Sequence, residues 1–153
     1  MAGETDLQTL LQSAKPILNE GTYFFCNVHL TPKDGEKWPD KTYAAIHGLL
    51  PSSVVTVKEA EGLTVVVPKE KVDEYLLDTS LPPLEYDSSY ECCWITLTIH
   101  SSLEAVGLTA AFSAKLAENN ISCNVVAGFH HDHIFVGKSD ASRAMDVLSN
   151  LGQ

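Results

Sequence analysis

The sequence predicts an α+β fold of two similar units, each an antiparallel sheet with helices on one face, and three observations lead there. The first is an internal repeat: a gapless offset of 69 residues lays the apolar pattern of one half on the other. Ser53-Val54-Val55-Thr56-Val57 falls on Ser122-Cys123-Asn124-Val125-Val126, Val65-Val66-Val67-Pro68-Lys69 falls on Ile134-Phe135-Val136-Gly137-Lys138, and Phe25, Val28 and Leu30 fall on Trp94, Leu97 and Ile99. The second is a set of short runs rich in β-branched and aromatic residues, bounded by Gly, Pro, Asn or Asp, which read as strands. The third is helical spacing of apolar residues at the end of each copy.

In chain order, each copy begins with a strand, Tyr23–Leu30 in the first and Cys93–His100 in the second. A hairpin follows later, Ser53–Glu59 with Leu63–Val67 and Ile121–Phe129 with His133–Val136. The closing helices are Lys69–Leu77, where Val72, Tyr75 and Leu76 share a face, and Ser139–Leu151, where Ala141, Ala144, Met145 and Leu148 do.

Between first strand and hairpin the copies differ. Val106–Asn119 carries Leu108, Ala111, Phe112 and Leu116 at helical spacing, and Asn119-Asn120 offers a stop. Thr31–Pro51 contains Pro32, Gly35, Pro39 and Pro51, so a loop is expected there in place of a long helix. With one further strand each copy follows the βαββαβ ferredoxin-like plan. The second copy ends after its helix, so its fourth strand must come from Pro16–Leu18, from the Leu84–Tyr90 stretch or from a partner chain. The expected division is residues 1–80 as a first unit with an N-terminal helix, 81–91 as a linker marked by Leu81-Pro82-Pro83-Leu84, and 92–153 as a second unit.

Composition narrows the function classes. The chain has 153 residues, 44% of them apolar and 20% charged, which suits a folded domain with a real core. Twenty acidic residues against ten basic ones give a formal charge of −10, which repels phosphate backbones and anionic lipid. Neither nucleic acid nor a membrane is expected as partner. The longest apolar run, near Leu63–Val67, is far short of the roughly 20 residues a membrane span needs. The start Met1-Ala2-Gly3-Glu4 lacks a signal-peptide pattern, so a cytoplasmic protein is expected. Cys26, Cys92, Cys93 and Cys123 sit in strand-like apolar runs without C-x-x-C spacing and read as buried free thiols.

Two stretches carry candidate chemistry. After the strand Trp94–Ile99, the run His100-Ser101-Ser102-Leu103-Glu104-Ala105-Val106-Gly107-Leu108 is a small-residue loop opening a helix, whose unsatisfied N–H groups suit a carboxylate. Equally, Ser101 or Ser102 is an N-cap and Gly107 a packing contact. Gly128-Phe129-His130-His131-Asp132-His133 is a polar turn in an apolar hairpin. Three histidines and an aspartate invite a metal, but successive strand residues face opposite ways, so at most two of the four converge and no metal is expected. A solvated turn and recognition of a ligand by Asp132 remain the open readings. His29, His47 and His100 read as structural, and Trp38 as a loop anchor or a lid.

Gly107-Leu108-Thr109-Ala110-Ala111-Phe112, followed by Leu116-Ala117-Glu118-Asn119-Asn120-Ile121-Ser122-Cys123-Asn124-Val125, resembles the ACT domains of aspartate kinases and related regulatory proteins. Phe129–Val136 is similar to the matching hairpin of the CASTOR arginine sensors, and the whole chain resembles small stand-alone proteins made of two ACT units. The resemblance implies a regulatory or sensor protein that holds an amino acid between ACT units. By position, Ser101, Ser102, Val106, Gly107 and Leu108 would receive the ligand's carboxylate, Gly128, Phe129 and Asp132 would meet its ammonium or side chain, and Asn124 would also line the pocket. An aspartate at the place of Asp132 suggests a cationic amino acid. The first copy has Leu63 at that place, so one site per chain is expected. A homodimer and a regulated enzyme or other protein are the implied partners, with no cofactor.

An enzyme is not expected, because no G-x-S-x-G, P-loop, G-x-G-x-x-G or H-E-x-x-H pattern occurs, and catalysis would have to rest on His130, His131, Asp132 and His133. The alternative to a sensor is an interaction module that oligomerises through its sheets with no small ligand.

Overall fold

A computed structural model describes residues 4–29, 37–99 and 104–152. The chain divides into a continuous unit, Gly21–Glu91, and a discontinuous unit, Met1–Glu20 with Cys92–Gln153. By contact, the first twenty residues pack with the second copy, and residues 81–91 pack with the first.

The continuous unit runs β2 (Tyr23–Val28), α2 (Asp40–Leu49), β3 (Val55–Lys58), β4 (Leu63–Pro68), α3 (Lys69–Leu76) and β5 (Glu85–Tyr86). Its strands lie antiparallel in the order β5, β2, β4, β3. Phe24, Cys26, Val28, Val65 and Val67 alternate onto one face, where they meet Ile46 and Leu49 of α2 and Val72 and Tyr75 of α3. Tyr75 also donates its hydroxyl to the Pro82 carbonyl at 3.1 Å, closing the segment that leads to β5.

Helix α2 corrects the expected loop. Pro39 lies just before its first residue and Pro51 lies in the single 3₁₀ turn that follows, so neither interrupts the helical hydrogen bonds. Inside those limits Thr42, Ile46 and Leu49 recur at helical spacing and are the buried positions. Pro32 and Gly35 lie outside the described residues.

The discontinuous unit begins with α1 (Leu7–Ser13), whose N-cap Asp6 accepts a hydrogen bond from the Thr9 backbone N–H, and β1 (Pro16–Leu18). It resumes with β6 (Cys92–Leu97), α4 (Leu108–Glu118), β7 (Cys123–Ala127), β8 (Asp132–Gly137) and α5 (Ala141–Ser149). The strand order is β1, β6, β8, β7, all antiparallel. Thus the fourth strand of the second copy is Pro16–Leu18, set by Pro16 opposite Leu97, Ile17 opposite Thr96 and Leu18 opposite Ile95. The Thr98 N–H to Lys15 carbonyl bond (3.0 Å) and the Asn19 N–H to Trp94 carbonyl bond (2.9 Å) extend the pairing at both ends. A proline suits this strand because it starts it at a sheet edge.

Leu108, Phe112 and Leu116 of α4 and Ala144 and Leu148 of α5 pack on Ile95, Leu97, Ile134 and Val136, with Leu10 of α1 joining them. Both units therefore complete the βαββαβ plan with helices on one face. The offset of 69 residues carries β2 onto β6 and β4 onto β8 end to end. Among the described residues no helix is long and apolar enough to cross a membrane.

Candidate functional site

Helix α4 starts without a side-chain cap. Its N-cap is Gly107, at φ 94° and ψ −12°, a left-handed conformation that glycine adopts without strain. The first helical bond runs from the Ala111 N–H to the Gly107 carbonyl at 2.8 Å, leaving the N–H groups of the first turn directed out of the helix end. Leu108 is buried beneath this start, while Val106 is 86% exposed beside it. A Cβ on Gly107 would lie 3.3 Å from Leu7 Cδ2, so glycine also lets α1 come close. Ser101 and Ser102, expected in the same loop, lie outside the described residues.

The turn between β7 and β8 lies at the same end of the sheet, since Leu97, the last residue of β6, stands opposite Asp132, which stands opposite Ala127. The Gly128 N–H donates to the His131 carbonyl at 2.9 Å and closes the turn. A Cβ at Gly128 would fall 2.7 Å from that carbonyl oxygen and 3.0 Å from His133 Nε2, so the close approach requires glycine. Phe129 projects outward, 81% exposed, with its ring edge-on to His130 at 4.9 Å.

Asp132 shares a face with Ile134 and Val136, the face on which α4 and α5 pack. It is 7% exposed. Burial raises its carboxyl above the usual range, opposed by the nearby imidazoles of His133 and His131. A buried carboxylate in this state favours an incoming cation strongly, because pairing relieves the desolvation already imposed on it. Val106, Gly107, Leu108, Gly128, Phe129 and Asp132 thus lie at one end of the unit. Asn124 does not join them: it stands opposite Phe135, one step out of phase with Asp132, and faces the other side of the sheet.

That other side holds a polar cluster the sequence did not disclose. Trp94 Nε1 donates to His133 Nδ1 at 3.1 Å, Thr96 Oγ1 lies 3.4 Å from the same nitrogen, and Asn19 Nδ2 donates to Thr96 Oγ1 at 2.9 Å. Burial lowers the pKa of His133, the neighbouring imidazole of His131 lowers it further, and Asp132 opposes both. The signal for the pair was the pairing register itself, which puts Thr96 opposite His133 and Trp94 one step from it. Among the described residues no group of three or more His, Cys, Asp or Glu side chains is placed to hold a metal ion. His133 and Asp132 point to opposite faces, as alternation along a strand requires.

Comparison with known proteins matches the ACT domain twice, over residues 2–82 and again over 89–150. Among solved structures, the chain is similar to a Vibrio cholerae protein of unknown function, a possible transport protein, at 41% identity, TM-score 0.71 and 96% coverage of both chains. It also shares its fold with aspartokinase α and β subunits (12% identity, TM-score 0.63, covering 89% of this chain and 95% of that one). The regulatory subunit of aspartate kinase from Thermus flavus is a further fold relative (8% identity, TM-score 0.63, 90% and 97% coverage). No curated protein matches. Two successive ACT matches, which together span nearly the whole chain, place it in the ACT domain family.

Proposed function

We propose that the protein is a regulatory amino-acid-binding protein whose ligand is held by the discontinuous unit, at the start of α4 and the β7–β8 turn. The observation that supports this best is the pairing of opposite electrostatic characters at one end of one sheet. An uncapped helix start directs N–H groups outward there, and a buried carboxylate, Asp132, lies at the same level as the strand feeding that helix. A zwitterion matches both: its carboxylate meets the N–H groups of the α4 start and its cationic group meets Asp132. Gly107 and Gly128 keep side chains out of the two backbone segments that approach the ligand. Val106 and Phe129, both strongly exposed, supply apolar walls for its carbon chain.

A cationic side chain pairs well with a buried carboxylate, so arginine and lysine are the favoured ligands. The experiment is a thermal-shift screen of dialysed protein against all proteinogenic amino acids. A ligand that binds only the folded state stabilises it by about 2.7 kcal/mol at a hundredfold excess over Kd. An upward shift with arginine or lysine that vanishes in Asp132→Ala is the expected result. Absence of a shift with any amino acid would overturn the reading.

A further inference from the structure

The two copies of the repeat do not offer the same end. The offset that carries β4 onto β8 carries Leu63 onto Asp132 and Trp38 onto Gly107. The register agrees, since Leu63 stands opposite Val28 and Lys58 as Asp132 stands opposite Leu97 and Ala127. Trp38 sits two residues before the first residue of α2, and both Trp38 and Leu63 pack against the core formed by Phe24, Cys26, Val28 and Ile46. The indole Nε1 is buried and, among the described residues, meets no hydrogen-bond acceptor. Apolar packing rather than a polar contact therefore holds the ring in place.

We propose that Trp38 fills, in the continuous unit, the place that the ligand takes in the discontinuous unit. The chain then carries one ligand-binding unit and one self-occupied unit. This rests on the ligand reading given above. The chemistry of each pair of residues is internally consistent. Glycine and aspartate leave space and supply a charge for a cation, whereas tryptophan and leucine remove both. A cation entering beside Leu63 would lose its hydration and find no counter-charge, which is a strongly unfavourable transfer.

The test uses the full chain with Trp38→Ala and indole as the probe. Removing the ring leaves a ring-sized space, so the variant melts at a lower temperature than the wild type, and added indole raises the melting temperature of the variant but not of the wild type. Unchanged melting of Trp38→Ala, with no response to indole, would overturn the proposal. A second measurement covers a variant that fails to fold: in Trp94→Phe, Trp38 is the remaining tryptophan of the two in the chain. Its emission should be blue-shifted and slow to quench with acrylamide; water-like emission with fast quenching would contradict the proposal. In calorimetric titration, wild-type protein should bind one equivalent of arginine per chain, and two equivalents would overturn it. The indole and quenching measurements involve no amino acid, so a wild type that takes up none would remove the ligand reading by itself.

Discussion

Trp94 Nε1 donates a hydrogen bond to His133 Nδ1 at 3.1 Å, with the two rings 5.6 Å apart and tilted by 55°. A ring nitrogen that accepts cannot carry a proton, so neutral His133 holds its proton on Nε2. Burial keeps the group neutral below its ordinary value of 6.5. The unfolded chain therefore binds the proton first as pH falls, and stability is lost between 6.5 and the lowered native value. Nitrogen-15 chemical shifts should report an unprotonated Nδ1 at neutral pH. His133→Phe should flatten the stability profile in this window; an unchanged profile would contradict the assignment.

Asp132 has the opposite linkage. Its carboxyl is raised by burial above the ordinary 3.8, so the folded state binds the proton first and gains stability as pH falls toward that value. At neutral pH the unliganded protein carries an ionised buried group. Asp132→Asn should therefore melt at a higher temperature than the wild type without ligand, yet lose the shift with arginine or lysine. A variant both less stable and still responsive would show that Asp132 serves the fold instead.

The N-terminal segment belongs to the core of the second copy through Leu10, which is 1% exposed among Ile95, Phe112 and Leu148. Leu10→Ala should cost about 2–5 kcal/mol of stability. Hydrogen exchange should quicken first in β6 and β8 of the discontinuous unit. Faster exchange confined to β2 and β4 would contradict the partition.

Burial pushes the Cys26 thiol up to about 12. Cys92 and Cys93 are also buried, whereas Cys123 is partly exposed. A thiol reagent added to native protein should label Cys123 well before the others, as peptide mapping would show. Rapid labelling of Cys26 would contradict its packing in the continuous unit.

Much of this fold was legible because a repeat constrains both halves at once. The strand Leu63–Pro68 and its counterpart Asp132–Gly137 fall on each other without a gap, and apolar alternation fixes the same face in each. Helix α2 was hidden because prolines read as interruptions when they in fact bracket it. The sequence offered Pro16–Leu18 as one of three sources for the fourth strand of the second copy, and long-range pairing with β6 selects it. At the candidate site, Asp132 and the glycines were visible as unusual residues among apolar ones. Asn124 failed to join them because its phase along β7, not its chemistry, decides which side it faces.

Two-dimensional NMR of isotope-labelled protein, with arginine added stepwise, follows the backbone amides at the proposed ligand site directly. Glycine amides fall in a clear region of the spectrum and both units contain them. Shifts are expected at Gly107 and Gly128 of the discontinuous unit, with Gly48 and Gly62 of the continuous unit unmoved. Shifts centred on Gly48 and Gly62, or none at Gly107 and Gly128 under saturating arginine and lysine, would contradict the proposed site.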